Sequence, residues 1–298
     1  MKIGFLGLGH MGIGMARRLL NPQDELKVYN RSTAASEALV AAGAKAVARP
    51  GAMADRDLVF TMLANDQALR DVVLAPGALL DNLPKGATHV SCSTISVALA
   101  AELAERHAAA GQNFISMPVF GRPDAAAAGK LFLVAAGPQD LVEQLRPIFL
   151  RMGQDLWWIA PQAELANLVK LSGNFLIAAT IESMGEAMAL VEKGGVDRHA
   201  YLDFLTHSLF TSPIHRNYGR LIADRAVRPA GVAAPLGQKD LRLVGEAAEK
   251  LAVPMPFASA LRERFLGLAA RGENDVDWAA VGVEAARVAG LHSAAGKS

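Results

Sequence analysis

The chain has one cysteine, Cys92, in 298 residues. That excludes an intramolecular disulfide and a cysteine-cluster metal site, and it suits a reducing compartment. Charge of one sign is equally scarce: 30 Lys and Arg against 29 Asp and Glu leave a formal net charge of +1, with no run rich in Lys or Arg. The balance argues against nucleic acid or a membrane held by electrostatics, and leaves small metabolites as the expected ligands. The seven histidines (His10, His89, His107, His199, His207, His215 and His292) show neither HExxH nor carboxylate-flanked spacing, so no metal is expected. A Gly-x-Ser-x-Gly elbow is missing, which removes support for Ser-His-Asp hydrolysis. No apolar run reaches membrane-spanning length, and the N-terminus enters a strand with no basic or apolar leader, so a cytoplasmic protein is expected. Internal repeats are absent. Low complexity is confined to Ala125–Ala128 and to Ala294–Ser298, a tail expected to fray.

What the sequence does have is 52% hydrophobic residues and length for two domains, each able to bury a core. Its first segment is an apolar strand, Lys2 to Leu6, running through Gly7-Leu8-Gly9-His10-Met11-Gly12 into a helical pattern over Ile13 to Leu20. Gly7 permits a tight turn, Gly9 lets backbone approach a pyrophosphate, and Gly12 lets helix and strand pack closely. The helix N-terminus adds free N–H groups and a positive dipole end. GxGxxG alone is a weak signal, but strand, turn and helix occur here in the order a dinucleotide site requires.

A second strand, Leu26 to Tyr29, ends in Asn30-Arg31-Ser32-Thr33, where a site selective for NAD carries an acid for the ribose hydroxyls. No acid stands there. Arg31, flanked by Asn30 and Ser32, suits a 2′-phosphate through charge-assisted hydrogen bonds, so NADP(H) is the expected cofactor, with NAD(H) possible. The other reading of Arg31 is a solvated surface residue with loose selectivity.

Short apolar runs alternate with helical patterns as far as about residue 160: Val47, Leu58 to Met62, His89 to Cys92, Phe114 to Met117, Leu131 to Ala135 and Leu156 to Ile159 read as strands. The alternation implies βαβ units and a largely parallel sheet. Beyond Pro161 only helical patterns follow. One runs from Glu164 to about Lys193, with Gly173 and Gly185 inside it and Gly194-Gly195 as its cap. Others cover about 198–207, 214–224, 237–251, 256–270 and 277–289. The expected architecture is a Rossmann-like α/β domain over 1–162 and an all-α domain over 163–298, joined by the long helix.

Hydride transfer at a carbonyl needs a proton donor beside the oxygen and groups to hold the rest of the substrate. Asn167, Lys170 and Asn174 lie at i, i+3 and i+7 in apolar surroundings, which places them on one helix face. A lysine so placed loses proton affinity by desolvation and becomes a better acid at neutral pH; equally, it is a snorkelling lysine beside packing amides. Met117 to Asp124 reads as a turn at a carboxyl end of the sheet, where ligands of open α/β sheets bind. In it Arg122 faces an anion or pairs with Asp124. Ser91-Cys92-Ser93-Thr94 closes another strand at the same rim, where Thr94 or Ser96 also suits a helix N-cap. Met62 and Leu63 end a third. Lys239-Asp240 reads by itself as an ordinary exposed pair.

With these residues in view the chain resembles the β-hydroxyacid dehydrogenases, the group of 3-hydroxyisobutyrate dehydrogenase, tartronate semialdehyde reductase and the glyoxylate and succinic semialdehyde reductases. The resemblance covers almost the whole chain. Its motifs fall in order: Gly7 to Gly12 with Met15-Ala16, Ser93-Thr94-Ile95-Ser96, Pro118-Val119-Phe120-Gly121 with Gly129-Lys130-Leu131, Asn167 to Asn174, and Lys239-Asp240-Leu241. The resemblance implies an active site between two domains, with Lys170 as the catalytic lysine, Asn174 as a substrate-binding amide, and Lys239 reaching substrate and cofactor. It also implies Thr94 at the nicotinamide ribose and Val119, Phe120, Gly121 and Arg122 at the substrate carboxylate.

Two departures bear on the substrate. Phe120 stands where the family has Ser, and Arg122 where it has a small residue; Gly173 also replaces a frequent second Asn. The function expected is reduction of a small carboxylate-bearing aldehyde or ketone to the hydroxy acid, in a homodimer or homotetramer. The alternatives are an imine reductase on the same fold, which generally has another residue at the lysine position, and a non-catalytic NADP-binding regulatory protein.

Overall fold

A computed structural model describes residues 1–291; His292 and the tail Ala294–Ser298 lie outside the described residues. The first half builds one nine-stranded sheet from β1 (Lys2–Leu6), β2 (Glu25–Tyr29), β3 (Lys45–Ala46), β4 (Leu58–Thr61), β5 (Thr88–Ser91), β6 (Asn113–Ser116), β7 (Val119–Phe120), β8 (Leu131–Ala136) and β9 (Gly153–Ala160). The order is β3-β2-β1-β4-β5-β6-β8-β7, with β9 paired to β8. From β3 to β6 every pairing is parallel, and order 3-2-1-4-5-6 is that of a doubly wound dinucleotide-binding sheet. β8 runs antiparallel to β6 and β7 and parallel to β9.

The central strands read as continuous apolar runs because both faces are covered. Phe5 and Phe60 enter the core on one face with Met15, Leu19 and Phe149, while their neighbours Leu6 and Val59 enter the other with Leu69, Leu99 and Leu103. Phe60 stacks on Phe5 at 6.1 Å between centroids and meets Phe149 edge-on at 6.0 Å. The Ala-rich Ala125–Ala128 has a packing reason. It lies in the helix Pro123–Ala128, and a Cβ on Gly14 of the helix His10–Leu19 would come within 2.9 Å of Ala127 N.

A polar chain is buried in this sheet unit. Gln112 donates through Nε2 to the carbonyls of Leu80 and Leu83, which leaves Oε1 to accept from His107 Nδ1 at 2.7 Å. His107 Nε2 must then accept from His89 Nδ1 at 2.9 Å, and His89 Nε2 from the Thr61 hydroxyl at 3.0 Å. Every tautomer follows from the two carbonyls at the far end. Burial pushes His107 down to about 4, and holds His89 well below the ordinary imidazole value with the His107 ring adding to the effect.

Two compact units divide after Lys170. In the second, helices follow at Arg198–His207, Pro213–Asp224, Ala234–Lys250, Pro256–Ala270 and Ala280–Val288, after the long helix Glu164–Lys193. Their core joins Ile181, Met184, Leu202, Ile222, Leu241, Phe265 and Trp278. Gly185, a glycine inside the long helix, marks a helix crossing: a Cβ there would stand 2.1 Å from Gly282 O. The long helix ends at Gly195, whose φ of +90° lets Val196 N–H donate to Val191 O.

Two expectations need correction. Val119–Phe120 is a short strand rather than part of a turn, because its backbone finds a partner in Leu133 and Phe132 of β8. Among the described residues Glu164–Lys193 is long and apolar enough by length and composition to cross a membrane, with mean hydropathy 1.2, contrary to the expectation that no segment reaches that length. It has 44% of that stretch buried inside the protein, and the core helix of a folded protein passes the same test.

Candidate active site

The glycine loop is fixed by sterics at two of its glycines and open at the third. Gly7 has φ +99°, and a Cβ on Gly12 would lie 1.9 Å from Gly7 O. Around Gly9 a Cβ would meet nothing within 4 Å, so backbone at this point faces open space. Gly9 is also the N-cap of His10–Leu19 and offers no side-chain cap, and no acid sits in the first turn. First-turn N–H groups left uncapped beside an open glycine fit the phosphates of a dinucleotide. His10 is exposed and Met11 half-buried beside them.

Asn30, at the end of β2, is occupied within the protein: Oδ1 accepts from Leu8 N–H at 3.0 Å and Nδ2 donates to Ser32 O at 3.0 Å. It therefore ties the glycine loop to the second strand end, a role its sequence position did not reveal. Arg31 and Ser32 beside it are exposed. Along the same strand ends, Met62 and Leu63 are half-buried, and Leu63 N–H donates to Ser93 Oγ at 2.8 Å. Thr94 is half-buried, while the capping task falls to Ser96, whose hydroxyl accepts from Leu99 N–H at 3.0 Å.

All three polar residues expected on one face of the long helix are buried: Asn167 at 0%, Lys170 at 8% and Asn174 at 6% exposure. Asn167 Oδ1 accepts from Ile95 N–H at 3.1 Å and its Nδ2 donates to Ser116 Oγ at 2.8 Å. The amide thus pins the start of the helix to the ends of β5 and β6. One turn on, Lys170 Nζ lies 3.9 Å from the centroid of the Phe120 ring. Phe120 packs against Val134, Ala136 and Ala166, next to Gly121 with φ +142°, where a Cβ would press on Leu131. Val119 is buried, and Arg122 is half-buried at the N-cap of Pro123–Ala128.

In the helical unit Asn174 Nδ2 donates to Asp240 Oδ2 at 2.5 Å, and Lys239 Nζ forms an ion pair with Asp240 Oδ1 at 2.9 Å. The expectation of an ordinary exposed pair is therefore wrong: Asp240 is 7% exposed and the Lys239 side chain 14%. Asp240 is also a buried acid, tied to two of the expected site residues, that reading the sequence missed. It occupies the apolar stripe of its helix with Gly237, Leu241 and Val244, and an acid in that register was the available signal. Among the described residues no group of three His, Cys, Asp or Glu is placed to hold a metal ion.

A doubly wound dinucleotide sheet, an open glycine loop and a buried lysine and amides on the following helix define a nicotinamide-dependent oxidoreductase. The family comparisons agree. The NAD binding domain of 6-phosphogluconate dehydrogenase matches residues 2–160, and the family described as NAD-binding of NADP-dependent 3-hydroxyisobutyrate dehydrogenase matches residues 165–283. The chain belongs to the β-hydroxyacid dehydrogenase family and is an NAD(P)-dependent oxidoreductase. It is 37% identical over 94% of its length, and 98% of the relative's, to the uncharacterized oxidoreductase YfjR of Bacillus subtilis. It is 29% identical to glyoxylate/succinic semialdehyde reductase 1 of Arabidopsis thaliana, covering 94% of this chain and 97% of the relative. Among solved structures it resembles 3-hydroxyisobutyrate dehydrogenase from Salmonella typhimurium, with a TM-score of 0.85 and 27% identity over 95% of this chain and 99% of that one.

Proposed function

We infer that the protein reduces a small aldehyde or ketone bearing a carboxylate, a semialdehyde or glyoxylate-like compound, to the hydroxy acid, with Lys170 as proton donor and NADP(H) as preferred cofactor. The observation that carries this reading is the burial of Lys170 against an aromatic ring, one turn after the pinned amide Asn167, on the helix that follows a dinucleotide sheet. When bound, the cofactor supplies a hydride to the carbonyl carbon. Lys170 gives a proton from Nζ to the oxygen as the C=O bond becomes C–OH, and regains one from solvent. General acid catalysis of this kind contributes about 10² to 10⁴ in rate. Asn174 and Lys239, gathered on Asp240, offer an amide and an ammonium to the acid group, and the family resemblance assigns Val119, Phe120, Gly121 and Arg122 to the same carboxylate. Arg31, exposed beside the loop, supports recognition of a 2′-phosphate.

The relatives' names support the substrate class, since one of them is a glyoxylate/succinic semialdehyde reductase. A panel of glyoxylate, succinic semialdehyde, other short semialdehydes and cyclic imines, run with NADPH and NADH, tests the reading. Turnover of the carboxylate-bearing carbonyls with NADPH is expected; turnover of imines alone would replace it with an imine reductase, and tight NADPH binding without turnover with a regulatory protein. Self-association as a homodimer or homotetramer is part of the same reading. Leu176, Leu190, Phe204 and Leu209 are 59%, 75%, 65% and 90% exposed in the helical unit, and light scattering showing a monomer would contradict it.

A further inference from the structure

The Phe120 ring meets both hydrocarbon and charge. It packs against buried Val134, Ala136 and Ala166, and Phe120 itself is held by β-pairing to Phe132 on β8. Over its ring stands Lys170 Nζ, 3.9 Å from the centroid, well inside the range in which the negative face of an aromatic ring attracts an ammonium. Asn167, the polar neighbour one turn back on the helix, has both ends of its amide committed to Ile95 and Ser116. From this arrangement we propose that Phe120 is a positioning residue: its ring holds the Lys170 ammonium and sets where the proton of the reaction is presented. The inference rests on the reading of Lys170 as the proton donor.

Two consequences follow from the chemistry of a phenyl ring. It has no directed hydrogen-bond acceptor, so it attracts the ammonium through its negative face without fixing the direction of any one N–H. It is also a rigid plane packed against Val134, Ala136 and Ala166, so the ammonium meets a fixed wall rather than a mobile side chain. A leucine at this position would fill much of the same space and lack the quadrupole; a tyrosine would keep it.

The test separates geometry from catalysis. With lysines labelled at ¹³Cε, the Lys170 signal, assigned by its loss in Lys170→Arg, is expected upfield of the other lysines from the ring current, and to return to the common position in Phe120→Leu. With succinic semialdehyde and saturating NADPH, kcat is expected to fall about tenfold in Phe120→Leu, to recover in Phe120→Tyr, and to decline stepwise as fluorines are added to the Phe120 ring. NADPH affinity should be unchanged throughout. A Lys170 signal without the upfield shift overturns the inference, as does a flat fluorination series while Lys170→Met is inactive. A Lys170→Met enzyme with full activity overturns the assignment of Lys170 as acid and this inference with it.

Discussion

Asn174 donates to the carboxylate of Asp240 at 2.5 Å, and the other oxygen of that carboxylate holds Lys239 at 2.9 Å. One buried acid thus joins the two side chains of the helical unit that are proposed to hold the substrate. Removing it takes a charged partner from a buried amide and a mostly buried ammonium, which costs more than the pair itself contributes. Asp240→Ala should destabilise the protein by about 3 kcal/mol in urea unfolding and raise KM for the carbonyl substrate. Asp240→Asn should be milder in stability yet still impaired in KM. An Asp240→Ala protein with wild-type stability and KM would show that Asp240 sets neither side chain.

The glycine loop predicts opposite outcomes at two of its positions. Gly9→Ala should keep the unfolding midpoint and weaken NADPH binding about tenfold or more, because its new methyl enters open space that a pyrophosphate would fill. Gly12→Ala should instead destabilise by about 3 kcal/mol, since its Cβ would overlap the Gly7 carbonyl. Thermal unfolding and a fluorescence titration with NADPH distinguish the two. Equal stability losses at both positions would contradict the open cradle.

Arg31→Asp should raise KM for NADPH by about 10- to 100-fold and leave KM for NADH nearly unchanged, the size expected for losing one charge-assisted contact. Parallel losses with both cofactors would assign Arg31 to general electrostatics, and no loss with either to a solvated surface.

The buried His89–His107 chain gives a pH dependence with a definite sign. Both imidazoles titrate lower in the folded protein than in the unfolded chain, so as pH falls below about 6.5 the unfolded state takes up protons first and stability drops. The loss amounts to about 1.4 kcal/mol per pH unit for each imidazole, and for His107 it levels off once pH passes about 4. Half-buried His215 shifts the same way by desolvation, whereas Glu182, raised by burial, works against the trend. Urea unfolding at pH 7.5, 6.0 and 5.0 should show falling stability; a flat profile would mean that the pair is not held neutral.

Much of this was legible in the sequence because local signals agree. The first two helices after residue 196 start at side-chain caps written in the chain, Asp197 accepting from His199 and Ala200 N–H, and Ser212 accepting from His215 N–H. The glycine loop and the face carrying Asn167, Lys170 and Asn174 follow from spacing alone. What was not legible depends on partners distant in sequence. Val119–Phe120 becomes a strand only because β8 returns beside it, and Asp240 finds its amide partner only because the long helix supplies Asn174. The contact of Phe120 with Lys170 needs both the bend after β6 and the pinning of Asn167, and no local pattern encodes either.

The most direct test of the account is Lys170→Met assayed for carbonyl reduction beside NADPH binding. The account predicts an unchanged dissociation constant for NADPH with turnover reduced by about 10² to 10⁴. A variant that binds NADPH and retains a large fraction of the wild-type rate would contradict it.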